Sequence, residues 1–134
     1  MTAMPEKNLA TLLASMDPHL HAEEFVFSSV SEDEFGALIL KPLSVFRERE
    51  GVSLIVEKTA ADRASLKYSG TWSLITCQVT SDLSAVGFLA TMSARLAEAG
   101  ISLNAISAFH HDHLFVPAER AQEALKILRE LSQL

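Results

Sequence analysis

The pattern of apolar and polar residues divides the 134-residue chain into short strands and helices. Its most regular stretch is 81–109. Ser81, Asp82 and Ser84 are candidate helix caps or turn formers. Residues 85–99 are mostly good helix formers, and Gly87, Thr91, Arg95 and Glu98 fall three or four apart on one narrow polar face. Val86, Leu89, Ala90, Met92, Leu96 and Ala97 spread over a wider apolar surface than one sheet contact requires. Gly100 is a natural left-handed stop, and residues 101–109 are β-rich enough for a strand. Gly87 is out of place in a first helical turn, where it costs about 0.5–1 kcal/mol against alanine. Two readings stay open for it: close packing on a neighbouring backbone, the commoner role of an internal glycine, or access for a ligand to the helix N-terminus.

Before that stretch, residues 9–16 form an apolar helix candidate with Asn8 as cap, ended by Asp17-Pro18. Residues 24–30 read as a strand from their β-branched and aromatic content. Residues 31–35 read as an acidic loop or single turn, and Pro42 confines any helix to 37–41. Strands at 43–47 and 52–56 flank a turn at 48–51. A helix at 59–66 starts from Thr59, and Gly70 punctuates a linker at 67–70. Residues 72–79 form a strand with Ile75, Cys77 and Val79 on one side and Trp72 and Leu74 on the other. After 109, His110-His111-Asp112 makes a turn and 113–116 a short strand. Pro117 suits a helix start, and Ala121, Ala124, Leu125, Leu128 and Leu131 form a stripe at helical spacing.

The two halves echo each other. Leu54-Ile55-Val56 with Ala61 and Ala64 matches Leu114-Phe115-Val116 with Ala121 and Ala124, at an offset of 60 residues throughout. A strand-into-helix unit recurring at that distance predicts a duplicated βαββα-type module. The first copy lacks the long helix between its first two strands, so the N-terminal helix is expected to cover its sheet there.

Composition narrows the class. A hydrophobic fraction of 49% and a charged fraction of 21% are those of a soluble globular domain. No apolar run approaches the ~20 residues of a membrane helix, and a formal charge of −6 argues against a phosphate-backbone partner. Cys77 is the single cysteine, so no intrachain disulfide forms and a reducing cytoplasm is expected.

The segments Gly87-Phe88-Leu89-Ala90, Leu96-Ala97-Glu98-Ala99-Gly100-Ile101-Ser102 and Ala105-Ile106-Ser107 resemble the ACT domain, the small regulatory module of amino-acid metabolism. The chain is similar to the tandem pair of aspartokinases and of the cytosolic arginine sensors, and also to small stand-alone bacterial proteins with the same paired layout, the latter including Glu50-Gly51-Val52-Ser53-Leu54. The resemblance covers 72–133 well and 24–66 more loosely. It implies an α/β sandwich of ferredoxin-like βαββαβ modules, side by side in one continuous antiparallel sheet with helices on one face. The modules would be 1–67, degenerate and carrying the extra N-terminal helix, and 71–134. It also implies a non-catalytic sensor of a small-molecule amino acid. Carried over, the ligand site is Asp82, Leu83, Ser84, Ala85, Val86, Gly87 and Phe88, with Asn104 and Ile106 beside it on the next strand. Backbone N–H groups of the loop would receive the carboxylate, and Asp82 would pair with the ammonium. The first half has only a weak echo of this loop at 31–36. One site per chain is therefore expected, or a shared one. The implied partners are a regulated metabolic enzyme and a second copy of the chain, with no nucleic acid, membrane or cofactor.

Other residues carry less. His110, His111, Asp112 and His113 are metal-ligand types, but no further cluster completes a set and a polar turn explains them. Cys77 on the apolar side of a strand reads as a core thiol, Trp72 as packing, and Glu48, Glu50 and Glu57 as a solvated face. No nucleophile–base pair, phosphate loop or dinucleotide fingerprint is present. The alternative to a sensor is an interaction or oligomerisation module with a vestigial ligand site, motivated by the broad apolar surface of helix 85–99 and by Trp72 and Leu74.

Overall fold

In the computed structural model, which describes residues 4–134, the chain runs α1 (Leu9–Ala14), β1 (Pro18–Val30), α2 (Glu32–Ala37), β2 (Ser44–Glu48), β3 (Gly51–Glu57), α3 (Lys58–Arg63), β4 (Trp72–Cys77), α4 (Phe88–Glu98), β5 (Asn104–Ser107), β6 (Asp112–Pro117) and α5 (Ala121–Leu131). The order βαββα therefore occurs twice, as the 60-residue echo predicts. Two compact units result. One is Glu23–Trp72; the other joins the segment ending at Ala22 to Ser73–Leu134. The strand β1 runs through the boundary.

In the 23–72 unit the strand order is β2-β3-β1. β1 and β3 pair antiparallel with Val26 opposite Val56, Ser28 opposite Leu54 and Val30 opposite Val52. Those inward valines and Leu54 meet Ala61 of α3, with Phe35 of α2 packed against them. Ser28, the one polar residue in that row, donates its hydroxyl to Lys67 O at 2.7 Å, which removes the cost of burying it. α2 occupies the stretch expected to be a loop or single turn. Its start is a capping box: Ser31 Oγ accepts from Glu34 N (3.0 Å) and Glu34 Oε1 accepts from Ser31 N (3.1 Å). α2 ends at Ala37, and the rest of the stretch to which Pro42 confines any further helix, 38–41, is irregular chain. α3 begins one residue before Thr59, because β3 runs directly into it at Glu57, so no side chain caps it.

In the other unit the order is β1-β4-β6-β5. Again the last strand of the βαββα run, β6, lies inside and the hairpin strand, β5, lies at the edge. The hairpin pairs Asn104 with Phe115 and Ser107 with Asp112. Ile75 and Cys77 of β4 and Leu114 and Val116 of β6 face a core completed by Phe88, Met92 and Leu96 of α4 and by Ala124, Leu125 and Leu128 of α5. In each unit the helices cover one face of the strands, the ferredoxin-like arrangement. Leu12 of α1 and Met16, both fully buried, belong to this second core. The N-terminal helix thus packs in the unit that already has a long helix, not over the sheet of the 23–72 unit, where α2 fills the place instead. β1 also begins earlier than its β-branched and aromatic content suggests: Pro18 to Glu23 are strand although half of them are polar.

Candidate functional site

The segment between β4 and α4 is held from three directions. Glu6 brackets it: Glu6 N donates to Thr80 O and Asp82 N donates to Glu6 O, both at 2.9 Å. Ser81 N donates to His110 O at 3.1 Å, and Ser81 Oγ donates to Asp112 Oδ2 at 2.8 Å. Asp82 then folds the chain on itself. Its Oδ1 accepts from Ser84 N at 2.7 Å, and its carbonyl accepts from Ala85 N at 2.9 Å, a turn in which an aspartate stands in for a backbone acceptor.

Gly87 ends the loop in the left-handed region, φ 95°, as the N-cap residue of α4. It lies outside the helix, which starts at Phe88 rather than at Ala85. A positive φ is costly for any residue with a Cβ, and a Cβ here would also meet Leu9 Cδ2 at 3.3 Å. This backbone requirement explains the glycine without a ligand. Gly87 offers no side-chain oxygen, so no side chain caps the helix, and first-turn N–H groups have no intrahelical acceptor.

The loop, the start of α4 and the β5–β6 hairpin enclose a groove of about 60 Å3. Asp82, Leu83, Ala85 and Phe88 line it, joined by Ser81, Leu89, Ser107 and Asp112. Four of the expected residues therefore come together. Ser84 shapes the turn, Gly87 sets the cap, and Val86 is 82% exposed; none of the three lines the groove. Asn104 and Ile106 lie on β5, but Ser107 at the end of that strand is the residue that reaches the groove. Asp112 is the functional candidate that sequence reasoning absorbed into a turn. It is 5% exposed, and its carboxylate accepts from Ser81 Oγ and from Ser107 Oγ, the latter at 2.5 Å. An acid flanked by histidines reads as solvated turn; only the register Ser107 opposite Asp112 shows that it turns inward.

The groove has an electrostatic sense. Among the described residues, two carboxylates line it and no Lys, Arg or His does. The N–H groups of Ser81, Asp82, Ser84 and Ala85 are already committed to the protein's own acceptors. Donors for an anionic group would come from the first turn of α4 instead.

Behind the site, burial and the nearby Asp112 charge push the Cys77 thiol up to about 12. It stays a neutral thiol that points its Sγ–H at Met92 Sδ, 3.6 Å away. Among the described residues no three His, Cys, Asp or Glu side chains are arranged to hold a metal ion, and no helix is long and apolar enough to cross a membrane.

ACT domain models match residues 4–73 and 68–130. A crystal structure of a Vibrio cholerae protein of unknown function, described as a possible transport protein, is 43% identical over 92% of this chain and 95% of its own, with a TM-score of 0.80. A protein from Agrobacterium tumefaciens (17% identity, TM-score 0.67, 86% and 87% covered) and the regulatory subunit of aspartate kinase from Thermus flavus (13%, 0.67, 85% and 95%) share the fold. No curated protein sequence matches. ACT modules are non-catalytic units that bind small ligands and regulate, and this chain, matched by two of their models in succession, belongs to the ACT domain family.

Proposed function

We propose that the protein is an amino-acid sensor that holds its ligand in the groove between the 81–87 loop, the start of α4 and the β5–β6 hairpin. The observation that carries this reading is the pairing of opposite electrostatic features within one small groove. Asp82 and Asp112 favour an ammonium, while the uncapped first turn of α4 favours a carboxylate. A zwitterion presents both charges within a short span. The likeness to an aspartate kinase regulatory subunit supports a regulatory role. On this reading the protein works in the cytoplasm, as a homodimer or docked to the metabolic enzyme it regulates, with modules at 1–67 and 71–134.

Thermal unfolding against the common amino acids and several nucleotides at millimolar concentration tests it. A ligand at about 100 times its Kd adds ~2.7 kcal/mol, a rise of several degrees for a domain of this size. The reading predicts such a rise with one or a few amino acids, lost in Asp82→Ala. No rise with any of them contradicts it.

A second reading has its own observation. In the 23–72 unit Ile39 is fully exposed and Phe46 is 70% exposed, an apolar display of the kind found at partner surfaces. An interaction module would self-associate independently of ligand; a monomer by light scattering at high concentration counts against it.

A further inference from the structure

Among the described residues that line the groove, every polar side chain offers acceptors. As carboxylates, Asp82 and Asp112 only accept. Ser81 and Ser107 have one hydroxyl proton each, and each gives it to Asp112: Ser81 Oγ to Oδ2 at 2.8 Å, Ser107 Oγ to Oδ1 at 2.5 Å. What is left of each hydroxyl is an oxygen lone pair. A ligand group suits such a surface when it is all donor. A primary ammonium is that group: it has three N–H donors, no acceptor, and a charge opposite to that of the two carboxylates. A carboxylate finds no donor among these side chains and must rely on the first-turn N–H groups of α4.

The groove is also short and held at its width. Its volume is about 60 Å3. A water molecule needs about 10–15 Å3 of such space, so there is room for on the order of five non-hydrogen atoms, about those of glycine. Asp112 ties Ser81 of the loop and Ser107 of β5 to one carboxylate, and Ser81 N donates to His110 O at 3.1 Å. The groove therefore widens only if those bonds break. Leu83, which lines it, is 64% exposed, so a long side chain leaves the groove there for water and gains little burial. A side-chain carboxylate would meet Asp82 and Asp112 as like charges, with no lining cation among the described residues to offset them.

We infer that the groove anchors its ligand by the ammonium group and takes the smallest amino acids, glycine, alanine and serine, while excluding aspartate and glutamate. This rests on the sensor reading above and names the ligand class of that same site.

Thermal unfolding of the whole chain is run with glycine, alanine, serine, leucine, phenylalanine, aspartate, glutamate and glycolate, each at millimolar concentration. Glycolate has the size of glycine with a hydroxyl in place of the ammonium. A ligand at about 100 times its Kd raises the Tm by several degrees. Such a rise is expected with one or more of glycine, alanine and serine, and with none of the other five. A rise with aspartate or glutamate, or with leucine or phenylalanine alone, overturns the inference and leaves the sensor reading standing. A rise with glycolate equal to that with glycine overturns the ammonium anchor. Asp112→Asn keeps the shape of the side chain but replaces one acceptor by a donor amide. The rise with the three small amino acids, read against the variant's own ligand-free Tm, is expected to be lost; its retention overturns the part given to Asp112. No rise with any amino acid overturns the sensor reading itself, and this inference with it.

Discussion

Asp112 is the residue on which the groove depends. One carboxylate satisfies two serine hydroxyls from different elements, Ser81 of the loop and Ser107 of β5. Asp112→Ala leaves Ser81, 7% exposed, without its acceptor and is expected to cost about 1–3 kcal/mol, read as a lower urea midpoint with an unchanged slope. Gly87→Ala tests a different requirement, since alanine pays about 1–2 kcal/mol to hold a left-handed φ. Loss of stability there follows from backbone geometry whether or not a ligand binds. Cys77 is expected to resist alkylation in the native protein and to react only on unfolding, because burial keeps it a thiol. At this scale the sequence reveals residue types more readily than roles. Gly87 stands out as anomalous, but its reason is a φ angle. Asp112 is hidden among histidines because its partners are 5 and 31 residues away.

Elements were legible where local signals agree with packing. α5 carries its apolar stripe where Ala121, Ala124, Leu125, Leu128 and Leu131 predict it, and all five are buried. α1 starts where Asn8 caps it, Oδ1 accepting from Thr11 N at 3.0 Å. Asn8→Ala is expected to cost about 1 kcal/mol, and Leu12→Ala about 2–5 kcal/mol because it empties a fully buried site. Urea unfolding of the two variants separates cap from core. Other elements escaped for identifiable reasons. The capping box at Ser31 and Glu34 is present in the sequence, where the acidity of the stretch masks it. The first residues of β1 are strand through pairing rather than propensity. Gly51 opens β3 so close to β1 that a Cβ would lie 2.6 Å from Val30 O, at φ 153°. Gly51→Ala is therefore expected to cost about 1–3 kcal/mol, although by spacing alone this glycine reads as ordinary turn.

For the whole molecule, duplication was the most informative signal. Corresponding strands and helices start 54 to 63 residues apart, and the two runs of βαββα place the corresponding strands alike, β3 inside β2 and β6 inside β5. What duplication does not predict is the division of labour. The loop between β4 and α4 has ten residues and encloses a groove; its counterpart is the single residue Ser31 between β1 and α2. The copies thus share a fold and differ in this loop; on the proposed reading only the second copy holds a ligand. The measurement that tests this most directly is amide NMR of the labelled protein titrated with amino acids. A ligand is expected to shift the resonances of Ser81 to Leu89, with Ser107 and Asp112, and to leave those of residues 31–57 in place. Shifts confined to 23–72, or no shift with any amino acid, contradict a sensor site in this groove.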